Sequence, residues 1–272
     1  MREVVTSSLP GARRENLHGI INRMYNPASF AEARPDVLYA FIRAHPLGTL
    51  VTNGPDGPEA THLPLCLDAG AGLLRCHMAR ANSQWRRLQS GGRALVIFAG
   101  ADHYITPNWY PSKREHGKVV PTWNYVAVHV EGTARLFEDT PSLIRHLNEL
   151  TDSQEARFPE PWSVADAPPD YVEGLTKTIV GVEIAMDRIE GKWKASQNRS
   201  TADRQSVIAA LDALGSDAGH AMANLMRDLP SRLARDHQNI LSDSRGQLHS
   251  QVADRPSTLE ECQNHPGTPK AE

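Results

Sequence analysis

The stretch TWNYVAVHVEGTARLFED, residues 122–139, decides the fold. Its apolar and polar side chains alternate with a period of two, which is the pattern of a strand with one buried face. Upstream, ALVIFAG (94–100) is a continuous apolar run suited to a buried strand. LGTLVTNGPDGPEATHLPLCLD (47–68) holds two β-rich runs joined by Asn53, Gly54, Pro55, Asp56 and Gly57, residues that supply turn conformations, so it reads as a hairpin. GLLRCHM (72–78) is a further short strand, and SQWRRLQSG (83–91) a short helix ended by Gly91 and Gly92.

Helical signals punctuate these strands. FAEARPDVLYAFIRAHP (30–46) sets Val37, Leu38, Phe41 and Ile42 on one face and must stop before Pro46. After Pro141 a helix carries Leu143, Ile144, Leu147 and Leu150, and residues 171–191 pass from helix into strand. From Val207 to Leu241 apolar residues recur at nearly helical spacing, broken by Gly215, Gly219 and Pro230, which predicts two or three short amphipathic helices. The fold class is mainly β with helical additions, a β-barrel. Four segments are expected: a polar extension over 1–23, the barrel domain over 24–212, a helical segment over 213–242, and a polar tail over 243–272 with too little apolar surface to order itself.

Composition narrows the chemistry. The 272 residues are 40% hydrophobic and 22% charged with a net charge of −3, so no global pull toward nucleic acid or an anionic membrane exists. Three cysteines without metal spacing fit free thiols in a reducing compartment. No apolar run is long enough to cross a bilayer and no signal-peptide core opens the chain, so a cytoplasmic location is expected. There is no Walker run, no GxGxxG, no HExxH and no G-x-S-x-G, which removes the commonest nucleotide, zinc-hydrolase and serine-nucleophile readings.

Eight short segments occur in order: MYNPASF (24–30), HPLGTLVT (45–52), HLPLCLD (62–68), HMARANSQW (77–85), WYPSK (109–113), VPTWNYVAVHVEG (120–132), IVGVEI (179–184) and GKWKASQN (191–198). Together they resemble the FMN-binding negative transcriptional regulators, the PaiB-like proteins, over roughly residues 24–212. The resemblance implies the FMN-binding split β-barrel shared with pyridoxamine phosphate oxidases, and a homodimer with flavin sites at the subunit interface. Thr106 and Asn108 depart from the serines usual before WYPSK.

A flavin needs aromatic or aliphatic faces, amide-type hydrogen bonds and cations together. Residues 104–125, unusually aromatic and polar at once, offer Trp123 for the ring, Asn124 for its polar edge or the ribityl chain, and Lys113 for the phosphate. Core or interface packing is the alternative for Trp109, Tyr110 and Trp123. In 77–85, Arg80 is assigned the phosphate because its planar fork donates two parallel hydrogen bonds, with a surface ion pair as the alternative. His77, Asn82 and Ser83 accompany it, with a strand-end role the equal alternative for His77 and a helix N-cap role an alternative for Asn82 and Ser83. Trp193 and Lys194 resemble the late segment that closes the flavin site, and Thr49 and Thr52 offer hydroxyl or backbone contacts to the ring. No catalytic residue and no metal ligand is assigned.

Two functions compete. One is a flavin-binding regulator, a redox sensor with DNA or another protein as partner; the other is a flavin-dependent oxidoreductase using NAD(P)H or a small-molecule substrate. Haem binding is a weaker third. The best DNA-facing stretches are QWRRLQSGGR (84–93) and RDLPSRLARDH (227–237), and neither is densely basic.

Overall fold

The computed structural model describes residues 24–229. In chain order its elements are β1 (Ala31–Glu32), α1 (Pro35–Ala44), β2 (Leu47–Gly54), β3 (Gly57–Pro64), β4 (Cys66–Asp68), β5 (Leu73–Ala79), a 3-10 helix (Ser83–Leu88), β6 (Arg93–Ile105), a second 3-10 helix (Pro107–Trp109), α2 (Ser112–His116), β7 (Thr122–Phe137), α3 (Thr140–Glu155), a third 3-10 turn (Val164–Asp166), α4 (Pro169–Thr176), β8 (Ile179–Lys194), α5 (Thr201–Ala213) and α6 (Asp217–Asp228). The expected mainly β fold with helical additions is the fold observed. The expected extension over 1–23 and tail over 243–272 lie outside the described residues, as does the helical segment from Pro230 onward. The described residues form two compact units, 24–102 with 123–194 and 103–122 with 195–229.

The first unit is built on one antiparallel sheet, its strands ordered β3-β2-β6-β7-β8-β5-β4, with β1 added to β8. Its core follows from strand periodicity: Leu50, Val96, Phe98, Val126, Val128, Val130, Val180, Val182, Ile184, Leu74, Cys76 and Met78 all turn inward and are buried. Each large side chain so buried contributes about 1.5–3 kcal/mol. Helix α1, opened by Pro35, adds Leu38 and Ile42 to this core. At β6 the continuous apolar run resolves into two faces. Ala94, Val96 and Phe98 are buried, whereas Leu95 and Ile97 are half-buried on the outward face, opposite Val51 and Thr49 of β2.

The long β7–β8 ladder breaks register once, between Glu131 and Gly132. A Cβ at Gly132 would lie 2.0 Å from the Ala185 carbonyl oxygen, so only glycine lets the β8 backbone come this close. Asp139 caps α3 by accepting from Ser142 N at 2.9 Å.

In the second unit, α5 and α6 are joined through Gly215 at φ +62°, a left-handed turn that glycine adopts without a Cβ penalty. Val207, Leu211, Met222 and Met226 are buried, as the helical spacing predicted. Arg204 is buried too. Its guanidinium donates to the carbonyls of Ala195 (3.1 Å), Met226 (2.6 Å) and Leu229 (2.5 Å), so the cation closes the C-terminal end of α6.

Candidate functional site

At the end of β5 the chain leaves the sheet through Arg80 and Asn82 into the 3-10 helix. Asn82 caps that helix, its Oδ1 accepting from Gln84 N at 3.0 Å, while its Nδ2 donates to Thr61 Oγ1 at 3.0 Å. Gln84 is fully buried and donates to Thr52 Oγ1 (3.1 Å), Leu50 O (3.2 Å) and Glu59 O (3.0 Å). Thr52, 1% exposed, therefore spends its hydroxyl inside the barrel, while Thr49 faces outward between His62 and Ile97. Ser83 opens the 3-10 helix and is exposed.

Arg80 is engaged by protein on all three nitrogens: Nη1 donates to Glu138 Oε2 at 2.6 Å, Nε to Lys177 O and Nη2 to Ile179 O, both at 3.2 Å. A phosphate would have to share this guanidinium with a carboxylate. His77 stands on the outward face of β5, and its Nδ1 lies 3.1 Å from Nε2 of His146 on α3. Burial lowers the pKa of His77. Burial first, then His77 and Arg75, brings that of His146 down to about 4.

The far end of β7 and β8 gathers a different set. Trp123 is 54% exposed, and its carbonyl accepts a hydrogen bond from Lys194 Nζ. Lys194 Nζ is also 5.9 Å from the Tyr125 ring centre. Lys192, 7% exposed, donates to Tyr25 O at 2.7 Å and sits 5.4 Å from the centres of both the Tyr25 and Tyr125 rings, a cation between two aromatic faces. Asn124 and Trp193 point the other way. Asn124 is 1% exposed, and Trp193 packs edge-on against Phe41 of α1 with ring centres 5.3 Å apart.

Lys113 belongs to the second unit, where Nζ donates to Asn108 Oδ1 at 2.5 Å. Tyr110 is buried there beneath Arg199, whose guanidinium carbon lies 4.9 Å from the ring centre, and Ser112 holds the Asp203 carboxylate through N and Oγ. The conspicuous aromatic stretch is thus divided, its first part packing in the second unit and Trp123 to Tyr125 opening β7.

Residues 24–188 match the family model described as "Putative FMN-binding domain". An uncharacterized protein of Emericella nidulans is 38% identical over 243 residues, spanning 75% of this chain and 97% of its own length. The Bacillus subtilis protein named "Protease synthase and sporulation protein PAI 2" is 34% identical over 207 residues, again 75% and 97%. The chain belongs to this FMN-binding, PaiB-like family. FMN is its cofactor, and its open sheet is the family's split barrel. Among solved structures, a conserved hypothetical protein of Mycobacterium tuberculosis is 18% identical with a TM-score of 0.46, covering 64% of this chain and 93% of its own. A pyridoxinephosphate oxidase family protein of Clostridium acetobutylicum, related to general stress protein 26, is 12% identical with a TM-score of 0.38, covering 59% and 91%.

The residues present fit FMN in kind: an exposed indole, two ammonium groups beside a phenol ring, an imidazole, and hydroxyl and amide groups. Among the described residues no group of three or more His, Cys, Asp and Glu could hold a metal ion. Nor is any of their helices long and apolar enough to cross a membrane. Lys192, His146 and Glu138 were missed in the sequence. Lys192 left a signal, since period two puts it on the same strand face as Lys194. His146 left one as well, three residues after Leu143 on the buried side of α3.

Proposed function

We propose that this protein is an FMN-binding regulator, a homodimer in which each flavin lies between the β5 end of one copy and the β7–β8 end of the other. One observation carries the reading. His77 pairs with Gly181 at the start of β8, and Lys194 ends the same strand thirteen residues later. At roughly 3.3 Å per residue that is about 43 Å of strand contour, longer than any flavin mononucleotide. Both ends carry the residue types a flavin needs, so a single copy leaves each set half complete. The outward apolar face of Thr49, Val51, Leu95 and Ile97 offers the surface on which copies meet.

In this arrangement His77, Ser83 and Thr49 supply hydrogen bonds, with Asn82 holding the turn they leave from, Trp123 and Tyr125 supply aromatic faces, and Lys194 with Lys192 behind it supplies the cation for the phosphate. Arg80 fixes the turn through Glu138 rather than gripping the phosphate. Bound FMN supplies redox chemistry, and the two thiols among the described residues are held in the protonated form. Burial pushes Cys66 up to about 11 and Cys76 up to about 12, so neither is a thiolate at neutral pH.

The regulatory role draws support from the Bacillus subtilis relative, named for protease synthase and sporulation rather than for a reaction. Of the two DNA-facing stretches, 227–237 lies outside the described residues from Pro230 onward. In 84–93, Arg87 pairs with Glu59 and Arg93 with Asp187, which favours a partner other than DNA for that stretch. The oxidoreductase reading rests on clefts of about 550 and 450 Å³ along α3, large enough for a small molecule. Purified protein should be yellow, and NADH or NADPH should fail to bleach its flavin bands under anaerobic conditions. Rapid bleaching, with turnover on readmitting oxygen, would make it an oxidoreductase instead.

A further inference from the structure

His146 is a buried side chain with an unusual hydrogen-bonding balance. It is 1% exposed, its Nε2 meets His77 Nδ1, and its own Nδ1 has no hydrogen-bond partner. The two rings meet edge to face with centres 5.2 Å apart, and Phe137 lies edge-on to His146 at 6.0 Å. Only one proton fits between the two facing nitrogens. If His77 Nδ1 carried it, His146 would bear its other hydrogen on Nδ1, as a buried N–H donor with no acceptor. If His146 Nε2 carries it, the orphaned Nδ1 is only a bare acceptor, the less costly of the two. The second arrangement therefore prevails, and it leaves the proton of His77 on Nε2, at the opposite edge of the ring from α3.

We infer that His146 is a positioning residue for His77. It holds the imidazole against α3 in one tautomer, so that Nε2–H is presented as a hydrogen-bond donor to an acceptor atom of the flavin. This rests on the reading above that the β5 end faces the flavin; the pair itself is a property of the flavin-free chain. Burial keeps the pair neutral, with Arg75 adding to it at His146, while the charges that face the pair nearly balance in sign. Asp68, Arg75, Arg135, Arg145, Glu149 and Glu183 line the adjoining cleft, with Arg75 tied to Asp68 and Glu183, and Arg135 to Glu183. A further proton on either ring would set an imidazolium beside the Arg75 guanidinium.

The test is nitrogen-detected NMR of the imidazoles in flavin-free protein, together with FMN titration of the same samples. In the wild type, His77 should show a protonated Nε2 and an accepting Nδ1, and a protonated Nδ1 would overturn the inference without any variant being made. His146→Leu should release His77 to a mixture of tautomers and weaken FMN binding roughly three- to tenfold. His146→Gln, whose amide can again donate to Nδ1, should restore both. A loss of FMN affinity in His77→Ala with none in His146→Leu would overturn the positioning role alone. Unchanged affinity in both would remove His77 from the flavin site and the inference with it.

Discussion

The end of β5 and the far end of β7–β8 are both rich in polar and charged side chains, yet they hold them with different partners. At β5 nearly every functional group is already answered by protein: Arg80 by Glu138 and two carbonyls, Asn82 by the helix it caps and by Thr61, His77 by His146. At β7–β8 the indole of Trp123 is exposed and two lysine ammonium groups lie beside aromatic rings. The difference teaches that ligand-type residues in a motif can be fixed as a frame by other side chains, while the lysines of a strand end are held by backbone carbonyls and ring faces.

The largest expected effect lies in the β5 frame and is set by pH. His146 is neutral in the fold with a pKa of about 4, against an ordinary 6.5 when unfolded. Its contribution is complete above about pH 6.5 and is lost as the pH falls toward 4, because the unfolded chain takes up the proton first. The loss is on the order of 2–3 kcal/mol. Thermal unfolding from pH 8 to pH 4 should fall along this window, and His146→Leu should flatten the fall. A curve equally steep in the variant would show that other groups govern it.

Next comes the contrast between the two cations. Lys194→Met should weaken FMN about ten- to a hundredfold and leave riboflavin, which lacks the phosphate, nearly unchanged. Arg80→Ala should instead cost about 1–2 kcal/mol of stability and affect the two flavins alike. Fluorescence titration of both flavins reads this directly, and a selective loss of FMN in the Arg80 variant would exchange the two roles. The smallest effect is expected for Asn82→Ala, about 1 kcal/mol of stability from the lost cap, measured by urea unfolding; no loss would mean the 3-10 helix is held by Gln84 alone.

Periodicity made much of this legible. Strand β7, the β2–β3 hairpin and helices α1 and α3 follow from alternation, turn residues and helical faces, because those signals are local. The outward face of β6 was not legible, since Leu95 and Ile97 read as core in an apolar run. The bulge at Gly132 depends on where another strand's backbone passes, which no local pattern records. The site followed the same divide. The motifs named Arg80, His77 and Trp193, but their partners Glu138, His146 and Phe41 lie tens to more than a hundred residues away, and it is the partner that decides what each side chain is free to do.

The central claim is that one flavin is completed by two copies of the chain. It is tested most directly by mixing His77→Ala protein with Lys194→Met protein, each damaged at one end of the sheet, and measuring bound FMN at a concentration where neither alone retains it. If each site takes its two halves from different copies, random exchange of subunits restores about a quarter of the sites. If each site is built within one copy, both kinds of subunit stay defective, and FMN binding in the mixture remains at the level of the separate variants.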